Sequence, residues 1–183
     1  MSKQRKQIIE IAVIGVMAAL AVVLDILSFP KGESYLKFTL YGLPLMFVGC
    51  IYGGKIGLIC GVVAGFIMQL LYGLTPEAPL WMLAPIAWGG ISGLTFYLLK
   101  RKNRLLNLFI VSFVTSIMAT LSNTVAMLVD ALIIDQYYTL ASIIANLPPR
   151  LISMVILGII YAFILWILIK RLSFLSIDTS EDN

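Results

Sequence analysis

The sequence contains no histidine, only two cysteines and few charges, with 12% of its residues Asp, Glu, Lys or Arg. A soluble domain carries about 25% charged residues. Without histidine, the commonest metal ligand and the commonest general base are both missing. No metal site and no cofactor are expected. The two cysteines, Cys50 and Cys60, lie inside apolar segments. They read as small buried hydrophobes rather than as a disulfide. No G-x-x-x-x-G-K-[ST] phosphate loop occurs, so any ATP must be hydrolysed by another protein. What is abundant is apolar: 61% of the residues are hydrophobic, against about 45–50% in soluble chains. The mean hydropathy is +1.01. The chain is therefore expected to be an all-α integral membrane protein. Residues 1–172 read as a single membrane domain and residues 173–183 as a polar cytoplasmic tail. The net charge of +4 does not point to nucleic acid, because the basic residues stand at the ends of apolar segments.

A bilayer core takes roughly 20 apolar residues of helix. Six segments meet or approach that requirement: Ile8–Ser28, Phe38–Tyr52 (short, with Pro44), Gly54–Gly73, Leu80–Leu99, Leu105–Ile134 and Leu151–Ile169. The first is too long for a signal-peptide core and has no small-residue cleavage site after it, so it reads as mature structure. Lysine and arginine orient the set, because cytoplasmic loops are enriched in both. With both termini cytoplasmic, the inner side carries Lys3, Arg5, Lys6, Lys55, Lys100, Arg101, Lys102, Arg104, Lys170 and Arg171. Only Lys31, Lys37 and Arg150 fall outside. The inner connections are a tight "YGGK" (52–55) and the basic "KRKNR" (100–104). The outer ones, 29–37, 74–79 and 135–149, are longer and rich in Pro, Tyr and acidic residues. Loops on a rigid scaffold commonly carry function, which makes the outer face the place to look for a ligand.

Small residues four apart share one helix face and let backbones approach closely in lipid. Gly57, Gly61 and Gly65 do so on the third segment, Gly15 and Ala19 on the first, and Gly89 and Gly93 on the fourth. Packing within the monomer is the leading account of the third segment's stripe, and docking of another subunit is the second.

Polar residues inside a membrane are costly and usually face protein or a cavity. Here they gather in the outer half: Asp25, Gln69, Tyr72, Asn123 and Asp130. Asn123, Met127 and Asp130 line one helix face, and Trp81, Pro85 and Trp88 line another. Each has a bland reading, Asn123 as interhelical glue and Trp81 as an interfacial belt residue. Together with Tyr41 and Lys37 they suggest an outward pocket with aromatic walls and a few polar anchors, the usual make-up of a small-molecule site. Arg150 follows Pro148 and Pro149. Proline is tolerated in a first helical turn, so the pair is expected to start the sixth helix and to place Arg150 at its outer rim. There the guanidinium either snorkels to water or clamps a carboxylate or phosphate of a ligand, aided by the helix N-terminus. Asp130 or Asp25 is the alternative internal partner.

Several stretches resemble the substrate-binding S components of energy-coupling factor (ECF) vitamin importers. "IGVMAALAVVLDI" (14–26) is similar to the family's alanine-rich first-helix motif. "YLKFTLYGLPLMFVGCIYGGKIGLICGVVAGF" (35–66) resembles its second and third helices, with Gly54-Lys55 where Gly-Pro is frequent. "SNTVAMLVDALI" (122–133) and "LPPRLISM" (147–154) resemble the end of the folate-type and related branches. The resemblance covers roughly residues 8–170. It implies a bacterial cell-membrane protein that binds a vitamin or precursor near the outer face, with residues 29–37 as a lid. It also implies docking on a transmembrane coupling subunit through Gly15, Ala18 and Ala19, and two ATP-binding partner subunits. An anionic ligand, pantothenate- or folate-like, suits Arg150 with Asn123, Gln69 and the aromatic walls. A membrane scaffold of the cell-wall elongation (MreD-like) type, without a ligand, is the alternative. An intramembrane enzyme is disfavoured, since no Ser-Lys pair or aspartate cluster lies deep in the bundle.

Overall fold

The computed structural model describes residues 3–28, 39–74, 76, 78–134 and 138–172. Among them every regular element is helical: α1 Lys3–Ile26, α2 Gly42–Tyr52, α3 Gly54–Tyr72, the single-turn α4 Ala78–Trp81, α5 Leu83–Leu98, α6 Leu105–Val129 and α7 Leu140–Leu172. The six-helix expectation holds, with α4 as a short lead-in to α5. Four stretches are long and apolar enough to cross a bilayer: Gln4–Ile26, Gly54–Tyr72, Leu105–Ile134 and Leu140–Arg171. The 11 residues of α2 rise only roughly 16 Å. That helix is buried on almost every side, from Gly42 and Pro44 through Cys50, as expected for an apolar helix packed inside a bundle. Both cysteines are free and buried.

The fold rests on glycine contacts. α3 lies on α5 so closely that a Cβ on Gly57 or on Gly89 would fall onto the other's carbonyl oxygen. One turn along, a Cβ on Gly61 would sit 2.5 Å from the Pro85 carbonyl oxygen, and one on Gly93 would sit 2.5 Å from that of Gly49. The small-residue stripes of the third and fourth segments are thus spent inside the monomer. Gly53, at φ +94°, makes the tight turn from α2 to α3; only glycine takes that conformation readily. Arg101, from the basic α5–α6 turn, reaches the same spot, 3.1 Å from where a Gly53 Cβ would stand. The two connections assigned to the cytoplasmic side therefore meet.

α1 packs on α3, where the Cys60 thiol donates to the Ile14 carbonyl at 3.7 Å. Ala18 and Ala21 face inward and are fully buried. Gly15 and Ala19 face outward with Ala12, and nothing lies within 4 Å of a Cβ built on Gly15.

α7 differs from expectation. The sixth helix does not begin after the proline pair; it begins at Leu140 and carries Pro148 and Pro149 in its interior. Its start is fixed by a reciprocal cap. The Thr139 N–H donates to Ser142 Oγ at 3.0 Å, and the Ser142 N–H donates to Thr139 Oγ1 at 3.2 Å. This is the geometry of a capping box with serine in the acidic position. The prolines lack N–H groups, so the carbonyls of Ile144 and Ala145 lose their i+4 donors. The Asn146 side-chain amide donates to the Ser142 carbonyl at 2.8 Å and the Ser153 hydroxyl to that of Pro149 at 2.9 Å. Arg150 consequently sits well inside α7, with no helix N-terminus to add to its charge. At the other side of this connection α6 ends in a π-helical turn, Asp130–Ile134.

The glycine contact makes a contrast testable. Gly89→Ala must push α3 from α5, and overpacking of this kind costs about 1–3 kcal/mol, whereas Gly15→Ala meets open space. Thermal unfolding in detergent should show a lowered Tm for the first and none for the second.

Candidate functional site

One cavity of about 110 Å³ opens among the lead-in to α2, α5, α6 and α7. Its wall consists of Thr39, Trp88 from α5, Ser116, Thr120 and Asn123 from α6, and Arg150, Ser153, Met154 and Leu157 from α7. Three residues singled out in the sequence therefore come together here: Arg150, Asn123 and Trp88. A fourth, Tyr41, is buried with its phenol beside Trp88 and Asn123 and within electrostatic range of Arg150. Helix geometry explains the assembly. Ser116, Thr120 and Asn123 are four and three residues apart, so they share one face of α6. Arg150, Ser153, Met154 and Leu157 do the same on α7.

Trp88 is held edge-on against Tyr161, ring centroids 5.5 Å apart. The Tyr161 hydroxyl donates to the Thr39 carbonyl, which fixes the lip of the cavity to α7. Tyr161, Thr39, Ser116, Thr120 and Ser153 were not singled out from the sequence. The signal for Ser116 and Thr120 was present, since both lie on the Asn123 face. Tyr161 gave none, because a tyrosine in an apolar run looks like any core residue.

The Arg150 guanidinium is half-buried. Its Nη1 donates to the Met127 sulfur at 2.8 Å, a weak acceptor, and its electrostatic neighbours are Tyr138 and Tyr41. Neither aspartate serves as its internal partner. Asp25 accepts from the Tyr72 hydroxyl at 2.6 Å. Asp130 accepts from the Tyr138 backbone N–H at 2.7 Å through Oδ2, tying the π-turn of α6 to the connection before α7. Tyr138, outside the membrane spans, is pushed above its ordinary pKa, mainly by burial; Arg150 opposes the shift and Asp130 adds to it.

The remaining candidates lie apart from the cavity wall. Trp81 packs against Tyr138, rings 6.0 Å apart. Tyr72 is largely exposed on α3, and Gln69 is half-buried one turn before it. Lys37 and the proposed lid, residues 29–37, fall outside the described residues. No cluster of three or more His, Cys, Asp or Glu that could hold a metal occurs among the described residues.

A family model described as "ECF transporter, substrate-specific component" matches residues 10–177. The chain belongs to this family. ThiT from Listeria monocytogenes, a solved structure, superposes with a TM-score of 0.65 over 93% of this chain and 98% of that one, at 19% identity. Identity that low establishes a shared fold alone. No curated protein matches the chain. As an S component the protein is a multi-pass membrane subunit that binds a substrate for a transporter, and the scaffold alternative loses its footing.

Tyr72 is the donor to the buried Asp25 carboxylate. Tyr72→Phe leaves that acceptor unsatisfied, a loss of about 1–3 kcal/mol, and should lower the Tm of the purified protein; an unchanged Tm would show that water replaces the phenol.

Proposed function

We propose that the protein is the high-affinity binding subunit of an importer for a small anionic vitamin or vitamin precursor, pantothenate-like rather than folate-like. The observation that carries this reading is Arg150. It is a permanent cation in a cavity wall, and among the described residues its hydrogen-bond partner there is a thioether rather than a carboxylate. A desolvated guanidinium with so weak a partner is a ready bidentate receptor for a ligand carboxylate. The rest of the wall supports the choice between the two vitamins. Thr39, Ser116, Thr120, Asn123 and Ser153 offer hydroxyl and amide groups, while among the described residues Trp88 is the one aromatic of the wall. At about 110 Å³ the space is below the roughly 300–1,000 Å³ of drug-sized sites. A compact, hydroxylated acid suits it better than a multi-ring one. Tyr41 supports Trp88 and Asn123 from behind, and Asp130 positions the connection that leads to Arg150.

The transport step is assigned to partners: a transmembrane coupling subunit and two ATP-binding subunits in a bacterial cell membrane. Absence of a phosphate loop from the sequence supports this division. Gly15 and Ala19, outward on α1 with open space before them, are suited to receive the coupling subunit. Ala18 supports that face from within.

Arg150→Ala should weaken ligand binding at least tenfold, equivalent to about 1.4 kcal/mol, and Arg150→Lys should restore it only in part, because an ammonium cannot present the planar fork. Tryptophan fluorescence titration against pantothenate, folate and niacin measures both; equal affinity in wild type and Arg150→Ala would refute the clamp. Gly15→Leu and Ala19→Leu should keep full binding yet lose uptake in cells; normal uptake would refute the docking face.

A further inference from the structure

The chain enters α2 through three residues that belong to no helix, Thr39, Leu40 and Tyr41. A segment without a helical ladder must have its backbone N–H and C=O groups satisfied by other means. At membrane depth such backbone is tolerated only where protein or a cavity surrounds it. Here side chains from distant parts of the chain do the work. The Leu40 N–H donates to Ser28 Oγ at 3.3 Å, just past the end of α1. That hydroxyl in turn donates to the Leu24 carbonyl at 2.7 Å, so it is held on α1 while it holds Leu40. The Thr39 carbonyl accepts from the Tyr161 hydroxyl of α7. The Leu40 carbonyl accepts from the Leu43 N–H at 3.3 Å, which joins the segment to α2. The Tyr41 phenol lies beside Trp88 of α5 and Asn123 of α6. Three consecutive residues are thus tied to α1, α5, α6 and α7.

Burial alone does not place the first two of these residues. Leu40 is 40% exposed, so its side chain supplies little of the apolar burial that would fix its backbone. The two anchors, by contrast, are enclosed: Ser28 is 3% exposed and Tyr161 1%. A buried hydroxyl or carbonyl is costly to leave unsatisfied, so each anchor holds its backbone partner in one place. Among the described residues the cavity wall includes Thr39 but neither Ser28 nor Tyr161. Tyr161 stands one turn beyond Leu157, on the α7 face that also carries Arg150 and Met154. Its own neighbours Trp88 and Thr39 are both wall residues. It therefore supports the wall without being part of it, and Ser28 does the same from α1.

We propose that Tyr161 and Ser28 are positioning residues of the binding site: from outside the cavity they hold the Thr39–Leu40 backbone in the one arrangement that puts Thr39 in the cavity wall. This rests on the reading above that the cavity takes the ligand, and adds which residues beyond its wall set the affinity. A wall held in its binding arrangement before the ligand arrives lowers the ordering cost of binding. With either hydroxyl removed, one tie on residues 39–40 is lost and Thr39 occupies its place in the wall for a smaller fraction of the time. The apparent affinity falls by that fraction. The influence of both anchors on the ligand therefore passes through Thr39 and has no route of its own.

The test is a double-mutant cycle on the full chain in detergent, with affinities read by Trp fluorescence and calorimetry. The probe is pantothenate, replaced by folate or niacin if only one of those binds. Tyr161→Phe keeps the ring against Trp88 and removes only the hydroxyl. Ser28→Ala removes the second anchor, on a different helix. Each should weaken the probe severalfold, as should Thr39→Ala. In the Thr39→Ala background neither Tyr161→Phe nor Ser28→Ala should weaken it further. Losses that add in the double variants overturn the proposal, because the anchors then act by some path other than Thr39. Undiminished affinity in Tyr161→Phe and Ser28→Ala, or in Thr39→Ala, also overturns it; a lowered Tm in those variants would then show a structural role alone, and the Arg150 clamp would stand. Arg150→Ala, measured in parallel, tests the reading beneath. If it binds the probe as wild type does, or if wild type binds none of the three compounds, the cavity reading falls and the positioning role falls with it.

Discussion

The backbones of α3 and α5 meet at Gly57 and Gly89, where the place of each missing Cβ is taken by the other's carbonyl oxygen. Lipid offers no hydrophobic drive to bring two helices together, so van der Waals contact between close backbones must hold them. A methyl group at either position would remove that contact. Around this pair the remaining helices find their places. α2 is wrapped because its turn through Gly53 lays it back against α3. α1 covers the other side of α3. α6 and α7 pack on from α5, and the cavity is what remains between them.

The same platform explains why the cavity is polar on one side. Trp88 stands on α5 one residue before Gly89, and so is placed by the close α3–α5 contact. Tyr161 meets it edge-on and carries the Thr39 carbonyl. The α6 face opposite supplies hydroxyls and an amide. α7 supplies the cation, and it does so from within a continuous helix whose prolines leave two carbonyls without donors. Polar groups at membrane depth are tolerated where they line a cavity or face one another, and here they do both.

Charge placement in the outer half follows a simple division. The two buried aspartates each accept a local hydrogen bond, Asp25 from Tyr72 and Asp130 from the Tyr138 backbone N–H. Arg150 is left with a thioether and two phenol rings nearby. Among the described residues the Arg150 guanidinium thus bonds no carboxylate, and the cavity wall beside it is built largely of neutral hydroxyl and amide groups.

Composition by itself determined the class of the protein, because 61% apolar residues leave little besides a membrane bundle. Apolar run lengths gave the six helices, lysine and arginine gave the orientation, and the short motifs gave the family. Asn123, Trp88 and Arg150, which line the cavity, were legible as candidates because polar and aromatic groups are rare in such segments and each occurrence stands out. The start of α7 was misread. The proline pair is a strong local signal, whereas the Thr139–Ser142 cap is two ordinary residues whose meaning appears only when both hydrogen bonds form. The destination of the glycine stripes was undecided for a similar reason, since spacing fixes a face of a helix but not what lies opposite. Only the tertiary structure decided that α3 and α5 consume their own glycines while Gly15 remains open. It alone paired Asp25 with Tyr72 rather than with Arg150. These outcomes depend on distances between side chains of different helices, and no periodicity along one chain encodes them.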